Sequence, residues 1–318
     1  MRAQRFISYA RSVDPGFWAT LASSLIWGTL PLYWKLLQGI SPYLVLCHRI
    51  VWSCVFLLPL VIVSHRMKEV VKAAKNAKVL RGLFCSSIIL ATNWGIFIWA
   101  VNNGKVLESS LGYYINPLLN ICMGVLLFRD RPSRMRMVAI AIAFMGVGFE
   151  VIYNGVVPWV ALSLALLFSA YGLLRKLAPV ESLPGLFLET VILCPFALAF
   201  VLWNAQVMGP AAWGTDTAQM LLLMGTGVIT SVPLILFSYG ARHIPFTTLG
   251  ILQYISPTMT FLFGLFVFKE EFAFGRAVSF SAIWLALTIY TVDSLRSLPS
   301  HIGKEGIKPA TPDRADPE

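Results

Sequence analysis

Residues 113–131 read YYINPLLNICMGVLLFRDR, and residues 252–270 read LQYISPTMTFLFGLFVFKE. Laid over one another without a gap at an offset of 140, Tyr114, Ile115, Pro117, Gly124 and Phe128 fall on Tyr254, Ile255, Pro257, Gly264 and Phe268. Arg129 and Asp130 then fall on Lys269 and Glu270. An apolar stretch of helix length, with a proline near its middle, occurs twice in one order. The fold depends on what separates the two copies.

The 318 residues are 57% apolar and 13% charged, too apolar for an ordinary soluble domain. Ten runs of about 20 apolar residues stand out, near 16–35, 43–64, 82–102, 107–128, 136–153, 159–177, 184–203, 219–240, 246–268 and 278–295. They predict an all-α membrane protein with no separate soluble domain. Between them lie short loops and an interhelical segment at 65–81. The N-terminal segment, 1–15, carries Arg2, Arg5 and Arg11, but the run that follows is long and lacks a small-residue cleavage pattern, so it reads as an uncleaved first helix. The tail, 296–318, is rich in proline and charge and is expected to be disordered. All five cysteines fall inside spans without metal-like spacing and read as packing residues.

The net charge of +10 is distributed by topology, not gathered into a nucleic-acid surface. Threading the spans puts Arg66, Lys68, Lys72, Lys75, Lys78, Arg81, Arg129, Arg131, Arg134, Arg136, Arg175 and Lys176 on one side and leaves Lys35, Lys105, Lys269 and Arg276 on the other. The positive-inside rule then places both termini in the cytoplasm, with the chain in a bacterial-type inner membrane. Five spans separate the copies, so the fourth span and its copy, the ninth, run in opposite directions. The expected fold is two inverted five-helix repeats, 16–153 and 159–295. The basic cluster after span four is matched by the balanced Lys269, Glu270, Glu271 and Arg276 after span nine.

At an offset near 140, Lys35 also falls on Lys176, Trp27 on Phe168 and Pro31 on Gly172. Pro31, Pro117, Pro233 and Pro257 mark expected helix kinks, which are either packing features or places where the bundle opens to a cavity. Repeat-built carriers place their sites at interrupted helices near the midplane, which favours the cavity for the set.

At mid-span depth lie Trp27, Asn93, Trp94, Tyr113, Tyr114, Asn116, Tyr171, Ser231, Gln253 and Tyr254, with Ser169, Thr230 and Ser256 beside them. They belong to spans 1, 3 and 4 and to their counterparts 6, 8 and 9. Polar groups in lipid need a partner or water, so a shared inward face lining a substrate cavity is one reading. The other is that the hydroxyls bond their own helices and the aromatics fill core. Charged groups within spans are sharper. His48 and Arg49 lie about two turns into span 2, at a depth similar to Glu108 on span 4, which predicts an Arg49–Glu108 pair. Glu189 lies toward the opposite face, with Arg175 and Arg242 as its depth-matched cations. These are expected to be structural ion pairs, or gating or proton-coupling groups.

The stretch NWGIFIWAVNNGKVLESSLGYYINPLLN (93–120), with CHRIVW (47–52), IWGTLPLYWK (26–35) and FLETV (187–191), resembles the RarD-type branch of the EamA, or drug/metabolite transporter (DMT), superfamily. The resemblance runs to about residue 295. It implies ten helices in two inverted halves, a central cavity lined by helices 1, 3, 4, 6, 8 and 9, and export of small molecules. Where the family usually has a Gly-Glu-Arg turn after helix 4, this chain has Arg129, Asp130 and Arg131.

No nucleophile elbow, paired metal spacing or phosphate loop occurs in the sequence. The expectation is therefore a secondary transporter, not an enzyme, without cofactor, metal or nucleic acid. The alternative is a membrane sensor or scaffold. A cavity of aromatics and amides suits an amphipathic or zwitterionic metabolite better than a bare ion.

Overall fold

A computed structural model of the chain describes residues 14–128, 133–244 and 246–296, and the side chains of these except at 121, 124–128, 176, 241–242, 246–247 and 294–296. Among them the structure is helical, without strands. The helices are α1 (Pro15–Leu36), α2 (Pro42–Val63), α3 (Met67–Ala74), α4 (Ala77–Asn102), α5 (Val106–Phe128), α6 (Arg134–Asn154), α7 (Trp159–Leu177), α8 (Ser182–Met208), α9 (Thr217–His243), α10 (Phe246–Gln253), α11 (Ile255–Phe266) and α12 (Phe274–Arg296). A short 3-10 turn, Gly209–Trp213, follows α8. Residues 1–13 of the N-terminal segment, the tail after Arg296 and the turn of Arg129, Asp130 and Arg131 lie outside the described residues.

Local sequence sets the boundaries. Asp14 accepts from Gly16 N at 2.6 Å, and Pro15 occupies the first helical position, where its missing N–H costs nothing. The Asn76 side chain accepts from Lys78 N and Val79 N, so α4 begins at Ala77, ahead of the apolar run expected from 82. Asp216 caps α9, and Gly155, at φ 67°, ends α6 in the left-handed conformation. The interhelical segment at 65–81 also contains a helix, α3. Its Val70 and Ala73 are buried in a cluster with Leu57, Leu83 and Leu186.

The ninth span is two helices. Pro257 has no N–H to give the Gln253 carbonyl, and the ladder is interrupted at Tyr254, whose N–H bonds back to Ile251 O at 3.2 Å. Pro31, Pro117 and Pro233 lie inside unbroken helices, as do Pro59 and Pro195. Of the four expected kinks, Pro257 is the one at an interruption.

Seven segments among the described residues are long and apolar enough to cross a membrane. The other expected spans correspond to α1, α5 and α7, of 22, 23 and 19 residues. At 1.5 Å per residue these are about 28–35 Å long, close to a hydrocarbon core of about 30 Å. Large apolar side chains also cover the outside, including Ile152, Phe196, Val63 and Phe266. That surface suits lipid better than water.

In the bundle α1 packs on α9 and α11, α2 on α8 and α9, α4 on α7 and α8, α5 on α7 and α11, and α6 on α12. Backbones approach closely at glycines. A Cβ on Gly227 of α9 would stand 2.3 Å from the Trp52 carbonyl oxygen, and one on Gly112 of α5 would stand 2.7 Å from that of Ala161. Loops 64–66 and 178–181 share one end of the bundle, called here the basic end. Loops 103–105, 155–158 and 267–273 share the far end.

Candidate functional site

Arg49 is the eighth residue of α2, about 10 Å along the helix from its start, and it is buried. Its Nε donates to Thr230 Oγ1 at 2.8 Å. The Thr230 hydroxyl in turn donates to Thr226 O at 2.8 Å, so a lone pair is directed at the arginine. The guanidinium carbon lies 4.0 Å from the centroid of the Trp94 ring and 5.2 Å from that of Trp34. Its Nη1 is buried without a hydrogen-bond partner among the described residues.

The expected Arg49–Glu108 pair is not formed. Glu108 Oε1 accepts from Val160 N at 2.8 Å, and Lys105 Nζ lies 3.5 Å from Oε2. The first turn of α7 presents unpaired N–H groups and the positive end of a helix dipole, and Glu108 accepts from one of them. A matching arrangement lies one helix back. Glu270, in the loop before α12, accepts from Val106 N at 2.5 Å and Leu107 N at 3.0 Å and so caps α5. Burial pushes the Glu270 carboxyl above the usual carboxylate range, and the two amide hydrogen bonds pull the other way. His48 Nε2 pairs with Ala212 O at 2.8 Å, its ring edge-on to Trp213.

From Arg49 an aromatic row leads toward the basic end. Tyr113 packs, edge to face with Phe97, against the same buried cluster that holds Trp34, one of the rings flanking Arg49. The ring centroids of Tyr113 and Phe168 are 6.0 Å apart, and those of Phe168 and Tyr171 6.2 Å. Tyr171 OH donates to Glu189 Oε2 at 3.2 Å. Buried Glu189 also accepts from Ser86 Oγ, and Arg175 Nη1 lies 3.8 Å from Oε1. Beyond it, Arg66 bridges Glu69 and, at 3.0 Å, Glu181, and these partners hold its guanidinium above its ordinary pKa. The Arg242 side chain lies outside the described residues.

The other sequence candidates fall elsewhere. Asn93 Nδ2 donates to Leu164 O at 3.0 Å, and Ser169 Oγ donates to Asn116 Oδ1 at 2.6 Å, so both amides fasten α4 and α5 to α7. Tyr114 and Tyr254 stack at 6.4 Å, with Tyr114 OH 2.7 Å from Thr258 Oγ1. With Trp284 and Thr288 they line a recess of about 430 Å³ between α11 and α12. Trp27 packs on Phe237 at 5.5 Å. Ser231 is buried, its hydroxyl without a partner among the described residues, and Gln253 is half-buried at the end of α10. Of the mid-depth candidates, Trp94 joins the Arg49 cluster, Tyr113 and Tyr171 the aromatic row, and Tyr114 and Tyr254 the recess, while Trp27, Asn93, Asn116, Ser231 and Gln253 belong to none of the three.

Residues that sequence reading did not select include Trp34, Ser86, Phe168, Thr230 and Thr258. Phe168 and Thr230 carried signals, as the counterpart of Trp27 and as a mid-span hydroxyl. Trp34 and Ser86 carried none, since their roles depend on neighbours from other helices. Among the described residues no group of three or more His, Cys, Asp or Glu could hold a metal ion. The arrangement offers recognition chemistry: a fixed cation, flat apolar surfaces and a buried acid.

A family model described as the EamA-like transporter family matches residues 14–151. The uncharacterized transporter YojE of Bacillus subtilis (strain 168) is 42% identical over 281 residues, covering 87% of this chain and 93% of YojE. Protein RarD of Salmonella typhi is 37% identical over 287 residues, covering 90% of this chain and 97% of RarD. A solved crystal structure superposes with a TM-score of 0.55 at 18% identity, covering 88% of this chain and 99% of that one, a likeness of fold alone.

Proposed function

The chain belongs to the RarD branch of the EamA-like transporter family, and from that membership we propose that it is a secondary carrier that exports a small organic solute by alternating access. It is a multi-pass membrane protein of transporter type, not an enzyme type. In the proposal the halves 16–153 and 159–295 are inverted repeats in an inner membrane, with both termini and residues 65–81 in the cytoplasm.

The observation that carries this reading is the pattern of helix contacts. Exchange α1 with α7, α2 with α8, α4 with α9, α5 with α10 and α11, and α6 with α12. The α1–α9 contact then becomes α7–α4, α1–α11 becomes α7–α5, and α2–α9 becomes α8–α4, each of which is also a packed pair. The contacts α2–α8, α5–α11 and α6–α12 map onto themselves. A bundle with this internal exchange can place either half in the arrangement of the other, opening alternately to the two sides. The far-end links made by Glu270 and Glu108 support reading this structure as the form closed at that end. The aromatic row, between a buried cation and a buried acid, is the proposed solute path.

The test begins with metabolite profiling of cells lacking and overproducing the protein, followed by counterflow in proteoliposomes with each solute whose level changes. Exchange of at least one such solute across the vesicle membrane is expected. Equal profiles in the two strains, with no exchange by the reconstituted protein, refute the carrier. For topology, a cysteine reporter at Lys75 should resist impermeant reagents added outside the cell, and ready labelling overturns the assignment.

A further inference from the structure

Among the described residues Arg49 is the buried arginine or lysine, and no carboxylate answers it. The buried acids are engaged elsewhere. Glu108 holds the start of α7 with Lys105 beside it, Glu150 lies 3.6 Å from Arg276, and Glu189 is held by Ser86, Tyr171 and Arg175. A guanidinium buried without a counter-charge is costly, and more so within a membrane. Yet this one is held with care. Thr230 fixes its Nε, Trp94 and Trp34 flank it, and Nη1 is left buried and unpartnered. The Trp34 Nε1 donor is also buried without a hydrogen-bond partner among the described residues.

We infer that Arg49 anchors the carboxylate of a small organic acid whose apolar body lies along Tyr113, Phe168 and Tyr171. The inference rests on the transporter reading above and adds the class of solute. A carboxylate is planar, and its two oxygens match the donor fork of a guanidinium. The aromatic row beginning at Tyr113 provides flat surface for an aromatic or branched apolar body. A phosphate ester fits less well. Its second negative charge would need a second buried cation, and Arg49 is the one that the described residues supply. A cationic solute would be repelled.

The test uses the full chain purified in detergent, with tryptophan fluorescence as the readout because Trp34 and Trp94 flank the guanidinium. The probes are 3-phenylpropionate and 4-methylpentanoate, their uncharged amides, and phenyl phosphate. The acids should bind at least about tenfold more tightly than the amides. Arg49→Gln should abolish that preference, and Arg49→Lys, which keeps the charge but not the fork, should retain part of it. Amides that bind as tightly as the acids, failure of both acids to bind, or tighter binding of phenyl phosphate would each overturn the inference. Where Arg49→Gln does not fold, the comparison of acid with amide in the unaltered chain decides the matter. Proteoliposome uptake separates the two readings. Acid binding without transport sinks the carrier and leaves the anion site standing, whereas equal transport of acid and amide does the reverse.

Discussion

Replacing Glu270 by alanine should open the far end of the bundle. Its two oxygens accept from Val106 N and Leu107 N, which belong to the first turn of α5 and have no partner within that helix. A buried donor left without an acceptor costs about 1–3 kcal/mol, so two such donors set an upper range of about 2–6 kcal/mol. Glu270 is only half-buried, so water can reach the freed amides. A net loss of about 1.4–2.8 kcal/mol from the closed form is the reasonable expectation, a ten- to hundredfold shift toward opening. Ser109, fully buried one turn below and bonded only to its own helix, is a suitable reporter as Ser109→Cys in a chain whose five native cysteines are changed to serine. Labelling by an impermeant maleimide should quicken about ten- to hundredfold in Glu270→Ala. Glu270→Gln, which keeps one acceptor, should fall between. An unchanged labelling rate at an unchanged yield of folded protein would show that this carboxylate does not hold the end shut.

The same residue gives a pH dependence. Its pKa in the folded chain lies above the ordinary carboxylate range, so between the two values the folded chain binds more protons than the unfolded one. Its contribution to stability is therefore full below the ordinary range and declines as pH rises through the folded value. Glu270→Gln should flatten that part of a stability profile measured by thermal unfolding in detergent. Arg49→Ala and Glu108→Ala, which touch different partners, should add within about 0.5 kcal/mol in a double-mutant cycle, and coupling beyond that would restore the pair rejected above. Arg175→Ala should cost about 3–5 kcal/mol by leaving Glu189 buried without its cation, held only by the Ser86 and Tyr171 hydroxyls. Adding Glu189→Gln should recover most of it in the same assay. Gly227→Ala should destabilise by about 1–3 kcal/mol or more because the obstructing atom is a backbone oxygen. Gly148→Ala, with nothing within 4 Å of the added carbon, should be tolerated.

The helical class and the approximate positions of the helices that occupy the ten expected runs were legible because apolar run length is a local property. The ends were less so. Residues 77–81 include Lys78 and Arg81 and look like loop, yet Asn76 caps them into α4. The amphipathic turn of α3 is too short and too charged to register in a search for membrane-length runs. For the candidate residues, depth was legible and direction was not. Tyr113 and Tyr114 are neighbours in sequence, but a helix turns about 100° per residue, so one joins the Arg49 row and the other faces Tyr254 and Trp284. Depth also matched Arg49 with Glu108, whereas the choice was made by Thr230 and by the open amides of α7. Partners supplied by a third helix leave no trace in the spacing of the first two.

The interruption at Tyr254 has one more consequence. Its counterpart in the proposed repeat, α5, passes through Pro117 without a break. Two identical halves would make the inward-facing and outward-facing postures equal in energy, and an idle molecule would spend half its time in each. If the halves exchange postures as proposed, one jointed and one stiff half are not equivalent, and one posture is preferred at rest before any solute arrives. On the proposed reading, that unmatched joint would bias which side of the membrane the protein faces while waiting, and it lies on a different element from Arg49.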